Sequence, residues 1–115
     1  MCKKLRVNQA KKLLTLLMIL FIISQMVMMF VVMVYDIDES RVTKVLKISR
    51  QYLNWVQNSV FEGDIERPTL ERLKKALSAV IDDEVDSIIF YELRTTQYLK
   101  KSVLGIEKSP SEVIL

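Results

Sequence analysis

The chain has 115 residues, with 17 basic and 14 acidic residues, a formal net charge of +3, one cysteine and no histidine. A single cysteine excludes an intrachain disulfide, and the absence of histidine excludes sites that need an imidazole base and removes the commonest metal ligand. Five basic residues and no acidic residue lie in the first 12 positions: Lys3, Lys4, Arg6, Lys11 and Lys12. The excess positive charge belongs to this tail, so the basic pI predicts no nucleic-acid binding.

The first predicted element is an apolar run of 23 residues without a charge, from Leu13 to Tyr35. A helix of this length spans the roughly 30 Å hydrocarbon core of a bilayer. The run is longer than the core of a cleavable signal peptide, ends without a small-residue cleavage site, and lacks the charged face of a helix in a soluble bundle. The sequence therefore predicts a basic tail over 1–12 and an uncleaved transmembrane anchor over 13–35.

The charges that flank the run predict its orientation. Two lysines precede it directly, and three acidic residues are the first charges after it: Lys11 and Lys12 before, Asp36, Asp38 and Glu39 after. Basic flanks favour the cytoplasmic side of a membrane. We therefore expect an inner-membrane protein with its N-terminus in the cytoplasm and its C-terminal domain outside the cytoplasm.

Two polar residues, Ser24 and Gln25, lie near the middle of the run. A polar side chain in a bilayer favours a partner in another helix, although one amide is also tolerated without a partner. We therefore expect both to contact a second transmembrane helix, from another subunit or another copy of this chain.

After the anchor, apolar residues recur at helical spacing from Ile37 to Phe61, with no glycine or proline before Gly63. This pattern predicts one long amphipathic helix, continuous with the anchor. Four basic residues at intervals of three form a stripe on another face of that helix: Arg41, Lys44, Lys47 and Arg50. This basic stripe is either a solvated surface or a contact with lipid headgroups or an acidic partner.

A shorter helix is predicted from Arg67 to Ile81, because proline at position 68 suits a first helical turn and leucines follow at helical spacing. The β-branched and aromatic residues of Val85–Leu93 then predict a strand. Together these elements predict an α+β fold, with the extracytoplasmic domain occupying 36–104.

A second, less regular apolar segment over Gln97–Leu104 predicts the other strand of a hairpin, followed by a loose tail over 105–115. A lone hairpin is marginally stable, so it must pack on the helices or pair with another chain. Tyr98 and Lys100 lie on the edge that we expect to pair with a partner.

Two acidic clusters, Asp36–Glu39 and Asp82–Asp86, are the candidate metal ligands. Neither has the spacing of a calcium-binding EF-hand loop, and helix ends and turns account for both. With two glycines in the chain there is no glycine-rich phosphate loop. The sequence therefore predicts no catalytic residue, no metal, no cofactor and no enzymatic activity.

The segment FEGDIERPTLERLKKALSAVIDDEVDSIIFYEL and the turn after it, from Phe61 to Val103, resemble the opening of extracytoplasmic PAS-like and Cache-like sensor domains of bacterial receptors. The resemblance implies a ligand-sensing or regulatory domain, which is our second hypothesis. The first is a non-enzymatic, single-pass subunit of a bacterial or phage membrane or envelope assembly. Its expected partners are the lipid bilayer and other membrane or envelope subunits, possibly including copies of itself.

Overall fold

The computed structural model describes residues 2–109, apart from the side chains of residues 2–6, 25 and 26. Three helices and four strands follow one another in this range, so the fold is mixed α+β, as predicted. They are α1 (Cys2–Met26), β1 (Met28–Asp36), α2 (Glu39–Ser49), β2 (Asn54–Gln57), β3 (Val60–Glu66), α3 (Arg67–Ser78) and β4 (Ser87–Leu93).

The four strands form one antiparallel sheet in the order β2-β3-β1-β4, which places β1 in the interior. The elements from β1 to β4 follow one another as β-α-β-β-α-β, the arrangement of ferredoxin-like domains. We call residues 28–93 the ferredoxin-like domain. In this topology each helix connects two strands that have a third strand between them, so α2 and α3 lie together on the sheet.

The hydrophobic core lies between the sheet and the helices α2 and α3. Alternate residues of β1 are buried, as the period of two in a strand requires: Met29, Val31, Met33 and Tyr35. The other buried residues complete the same cluster: Val45 of α2, Leu53 just before β2, Phe61 and Ile65 of β3, and Leu70, Leu73 and Leu77 of α3. The opposite face of the sheet carries the intervening residues of β1.

The predicted transmembrane helix over 13–35 is wrong in its second half. The helix α1 ends at Met26, and β1 takes over at Met28. Three valines, at positions 31, 32 and 34, favour an extended backbone. The strands on both sides of β1 form hydrogen bonds with its main-chain N–H and C=O groups. The predicted domain start at residue 36 therefore cuts through the central strand of the sheet.

The helix α1 extends for about 37 Å, at 1.5 Å per residue. Its side chains from Val7 to Ser24 are all exposed. This 18-residue segment, with a mean hydropathy of 1.5, is long and apolar enough to cross a membrane. Signal sequences and core helices of soluble proteins have the same length and composition, so these two properties assign no membrane location.

The predicted long helix over 37–61 is wrong beyond its first half. The helix α2 ends at Ser49, and the chain then forms the hairpin of β2 and β3. Phe61, Gly63 and Ile65 are buried while their neighbours are more exposed, so β3 follows a period of two. Gly63 lies inside this strand, where an added Cβ would approach Leu53 Cδ2 at 3.4 Å. It is not the helix break that the sequence predicted.

Two predicted elements are confirmed and one is wrong. The helix α3 begins at Arg67 with proline in its first turn, and β4 lies within the predicted strand Val85–Leu93. Gln97–Leu104 forms no strand, and the described residues after β4 include no helix or strand. Tyr98 is 85% exposed and Leu104 is fully exposed, so this segment lacks the buried face that a strand needs. Of the predicted tail, residues 110–115 lie outside the described residues.

Candidate functional site

The candidate site lies at the end of the sheet where β1 stops. Asp36 is the last residue of β1 and pairs with Ser87, the first residue of β4. On the other side of β1, the main-chain N–H of Tyr35 donates a 3.0 Å hydrogen bond to the carbonyl of Ser59, in the turn between β2 and β3. Asp36 is therefore flanked by the start of β4 and by the β2–β3 turn.

Asp86, just before β4, is a buried structural carboxylate in this region. Its side chain is fully shielded from solvent and accepts two hydrogen bonds from the guanidinium of Arg41, at 2.6 Å from Nε and 3.0 Å from Nη2. The main-chain N–H groups of Asp38 and Asp82 donate to the same carboxylate at 3.0 and 2.9 Å. These donors, above all the guanidinium, hold the pKa of Asp86 well below its usual range, and the Asp86 carboxylate in turn raises the pKa of Arg41.

Two further carboxylates are occupied by local structure. Asp38 caps α2, because its Oδ2 accepts hydrogen bonds from the N–H and the hydroxyl of Ser40 at 3.0 and 2.6 Å. The Ser40 hydroxyl, followed by its N–H, lowers the pKa of Asp38. Asp82 Oδ1 accepts a 3.1 Å hydrogen bond from the N–H of Glu84. Both side chains therefore fix the backbone around the site.

Asp36 differs from these three carboxylates. It is exposed, and its carboxylate has no hydrogen-bond or ion-pair partner among the described residues. Within that part of the chain, no three histidine, cysteine, aspartate or glutamate side chains are arranged to hold a metal ion. Asp36 is therefore a free carboxylate that can accept a proton or a ligand at the end of the central strand.

The sequence did not predict that Asp36 is a free carboxylate at the end of a strand; Asp36 was assigned only to the acidic cluster at a helix end. A usable signal is present in the sequence. A charged residue that directly follows a run rich in valine marks the end of a buried strand, and side chains at strand ends are frequent functional positions because they are exposed yet rigidly held.

The basic stripe lies on and just after α2, which begins three residues after Asp36. Arg41 is bound to Asp86, whereas Lys44 and Lys47 are exposed and form no ion pair with another described residue. Burial raises the pKa of the Tyr35 hydroxyl, and the positive charge of Arg50, at the C-cap of α2, acts in the opposite direction. The stripe therefore leads away from the site as a largely unneutralised positive surface.

The other predicted site residues lie elsewhere. Ser24 is exposed on α1 and lines a cleft of about 290 Å³ with Met28, Arg67 and Arg94, while the side chain of Gln25 lies outside the described residues. Tyr98 and Lys100 are exposed in the irregular segment after β4. Of the predicted contact residues, Arg41 is bound to a carboxylate near Asp36, namely that of Asp86.

Comparison with known proteins gives a consistent result. Residues 29–101 match the family model described as CRISPR associated protein Cas2. Relatives from Dictyoglomus turgidum and Pyrococcus furiosus, each named CRISPR-associated endoribonuclease Cas2, are 49% and 48% identical over 87 residues, which cover 76% of this chain and all of each relative. A crystal structure of Cas2 is 36% identical with a TM-score of 0.66, covering 76% of this chain and 99% of the other.

These similarities overturn the predicted sensor domain, the absence of enzymatic activity and the absence of nucleic acid among the partners. The segment compared with PAS-like and Cache-like domains, Phe61–Val103, lies almost entirely within the match to Cas2. The predictions of no enzyme and no nucleic acid are wrong, because the relatives are named endoribonucleases.

The predicted membrane location and membrane partners are also wrong. The family match begins at residue 29, inside the predicted anchor, and that part of the anchor is the central strand of the matched domain. A domain whose central strand is buried between two others cannot also use that strand to cross a bilayer. The inner-membrane location, the exported C-terminal domain and the envelope-assembly function lose their basis together.

Proposed function

Since the chain belongs to the CRISPR-associated Cas2 family, we propose that it is an endoribonuclease. One observation carries this proposal. Curated relatives named endoribonucleases align over their entire length with this chain at nearly half identity, so the chain contains the whole of the domain to which that name applies.

We assign the catalytic role to Asp36. Cleavage of RNA requires an oxygen nucleophile, a 2′-hydroxyl or a water, to lose its proton as it attacks phosphorus and as the bond from phosphorus to the leaving 5′-oxygen breaks. In a chain without histidine, a carboxylate is the natural group to accept that proton, and the leaving oxygen takes a proton from solvent. Asp36 is exposed and unpaired, whereas Asp38, Asp82 and Asp86 already accept hydrogen bonds from the protein.

The basic stripe supplies the phosphate contacts in this proposal. Several carboxylates around Asp36 repel a polyanion, so RNA binding needs nearby positive charge. Lys44 and Lys47 are exposed and unpaired among the described residues, which leaves their ammonium groups available to phosphates. Contact of Lys44, Lys47 and Arg50 with RNA thus replaces the lipid or acidic-partner contact that the sequence suggested for them, while Arg41 stays bound to Asp86.

Replacement of Asp36 by asparagine tests the proposal, because the amide keeps the size of the side chain but is a far weaker base. We expect the rate of cleavage of an end-labelled single-stranded RNA to fall by about 100-fold or more, as for loss of a general base. The matched control is Asp64→Asn, which neutralises an exposed carboxylate on β3 without a partner among the described residues.

The outcomes separate the two parts of the proposal. Cleavage by the wild type and the Asp64→Asn variant, with loss in Asp36→Asn, supports both. Equal cleavage by Asp36→Asn and wild type rules out the catalytic role of Asp36. A wild type without activity on RNA overturns the endoribonuclease proposal.

A further inference from the structure

The turn between β2 and β3 carries two exposed polar residues at the same end of the sheet as the catalytic carboxylate. Asn58 and Ser59 connect the paired residues Gln57 and Val60. The register of β1 with β3 pairs Val34 with Val60, and the Tyr35–Ser59 hydrogen bond continues it. This register ends at Ser59, because the chain turns back through Asn58 towards β2, on the far side of β3 from β1, so Asn58 lies about two strand spacings, or about 10 Å, from Asp36.

The side chain of Tyr35 holds the backbone of this turn in place. The buried Tyr35 donates its hydroxyl to the carbonyl of Asn58 at 2.6 Å, and its ring packs against Phe61 with centroids 5.9 Å apart. Asn58 itself has φ of 24°, in the left-handed region that asparagine adopts more readily than most residues. The turn is thus anchored by the residue that directly precedes Asp36.

The side chains of the turn are left for a ligand. Asn58 and Ser59 are exposed, and neither side chain contacts a partner among the described residues. An amide presents a donor and an acceptor side by side, the combination that reads the edge of an unstacked RNA base, and it has no charge with which to select a phosphate. Since Asp36 must face the reacting ribose and phosphate, a side chain about two strand spacings away lies within reach of the attached base.

We infer that Asn58, with Ser59 beside it, contacts the base of the nucleotide at the cleaved bond and sets a base preference for cleavage. This inference rests on the proposed endoribonuclease function of Asp36. It makes the β2–β3 turn a specificity element whose position relative to the catalytic group is fixed through Tyr35.

The test maps cleavage sites in a random-sequence RNA pool by sequencing. Wild type should favour particular bases at one position relative to the cut, and Asn58→Gly, which removes the side chain but accepts the left-handed backbone, should reduce that preference by about fivefold or more, as expected for the loss of one paired contact to a base. Asn58→Asp keeps the side-chain size but loses the amide donor, so it should change which base is favoured. Asn54→Ala, an exposed asparagine at the start of β2, is the matched control and should keep the wild-type pattern.

A binding measurement separates this inference from the proposed function. Affinities for four homopolymeric oligonucleotides are measured by fluorescence anisotropy in the Asp36→Asn background, with and without Asn58→Gly, and thermal melts verify folding. Loss of the base preference when Asn58→Gly is added to Asp36→Asn supports the contact of Asn58 with a base, whether or not wild type cleaves RNA. An Asp36→Asn protein without base preference, or a preference that survives the addition of Asn58→Gly, overturns that contact and leaves the role of Asp36 standing. If Asn58→Gly is unfolded, an unchanged preference in Asn58→Asp overturns it instead.

Discussion

Residues 13–26 and 28–35 belong to the same uncharged run, yet they fold in different ways. The first part is the end of α1, whose described side chains are all exposed, and the second is β1, whose alternate side chains are buried. A long run without charges therefore does not by itself indicate one element. What separates the two parts is composition and available partners: leucine and isoleucine dominate the first, whereas valines occur in the second, which has strands to pair with on both sides.

The two parts also differ in what they contribute to stability. Burying a large apolar side chain stabilises a fold by roughly 1.5–3 kcal/mol. Four residues of β1 gain this stabilisation within the core, while α1 buries no side chain from Val7 to Ser24. We therefore expect substitutions of the same kind to destabilise the fold much more in the second part than in the first.

The largest expected effect compares two methionines. Met33 is fully buried in β1, and Met18 is 66% exposed on α1. Met33→Ala removes buried atoms and leaves a cavity, so the free energy of unfolding of the ferredoxin-like domain should fall by about 2–5 kcal/mol. Met18→Ala should change it by less than about 0.5 kcal/mol. Urea unfolding followed by the fluorescence of the chain's one tryptophan, at position 55, measures both.

Equal destabilisation by the two alanine substitutions would contradict the comparison, because it would mean that α1 packs on the domain as closely as β1 does. The urea m-value reports the surface that becomes exposed on unfolding, so a change in the m-value with Met18→Ala would also indicate that α1 packs on the domain.

A smaller effect is expected from substitution of Asp86, whose ion pair with Arg41 joins α2 to the loop before β4. The described side chains of α1 form no ion pair. Asp86→Asn keeps the size and some of the hydrogen bonds but removes the charge that Arg41 binds. Because the pKa of Asp86 is depressed in the folded protein, its contribution to stability is present above the ordinary carboxylate pKa of about 4 and declines as the pH falls below it. Asp86→Asn should therefore lower Tm at pH 7 and flatten the loss of Tm on acidification from pH 6 to pH 3.

Asp83→Asn is the control for this pH dependence, because Asp83 is exposed in the same loop and has no partner among the described residues. It should reproduce the wild-type profile. An Asp86→Asn variant whose Tm falls with pH as steeply as that of wild type would show that other carboxylates, such as Asp38 and Glu92, account for the acid sensitivity.

The sequence predicted those elements that local signals define. The start of α3 is marked by Pro68 and a leucine face, and β4 by a cluster of β-branched and aromatic residues; both are confirmed. The hairpin of β2 and β3 was missed because its apolar residues also fit helical spacing, and because a four-residue edge strand depends on pairing with β3 rather than on its own propensity. The alternation from Phe61 to Glu66 and the asparagine at position 58 were the available signals.

The site was hidden for the same reason. Asp36 is a functional candidate only because β1 ends there, and β1 was read as part of a membrane helix. The acidic residues near it look alike in sequence, whereas in the structure three of them accept hydrogen bonds from the protein and Asp36 does not. That distinction requires contacts between residues up to 48 positions apart, such as Asp38 with Asp86, which no local pattern reports.

The smallest effect is expected from removal of α1, which tests directly whether the first part of the run contributes to the stability of the domain. A chain that starts at Met28 keeps every strand of the sheet, both helices of the core and Asp36. It loses Ser24 and Val27 from the cleft beside Arg67 and Arg94, the place where α1 approaches the domain. Because these are peripheral contacts, the unfolding free energy of the domain should change by less than about 1 kcal/mol, and Met33→Ala should destabilise the shortened chain as much as the full chain. A shortened chain that is unfolded by circular dichroism would show that the exposed helix, despite its lack of buried side chains, is required for the sheet to form.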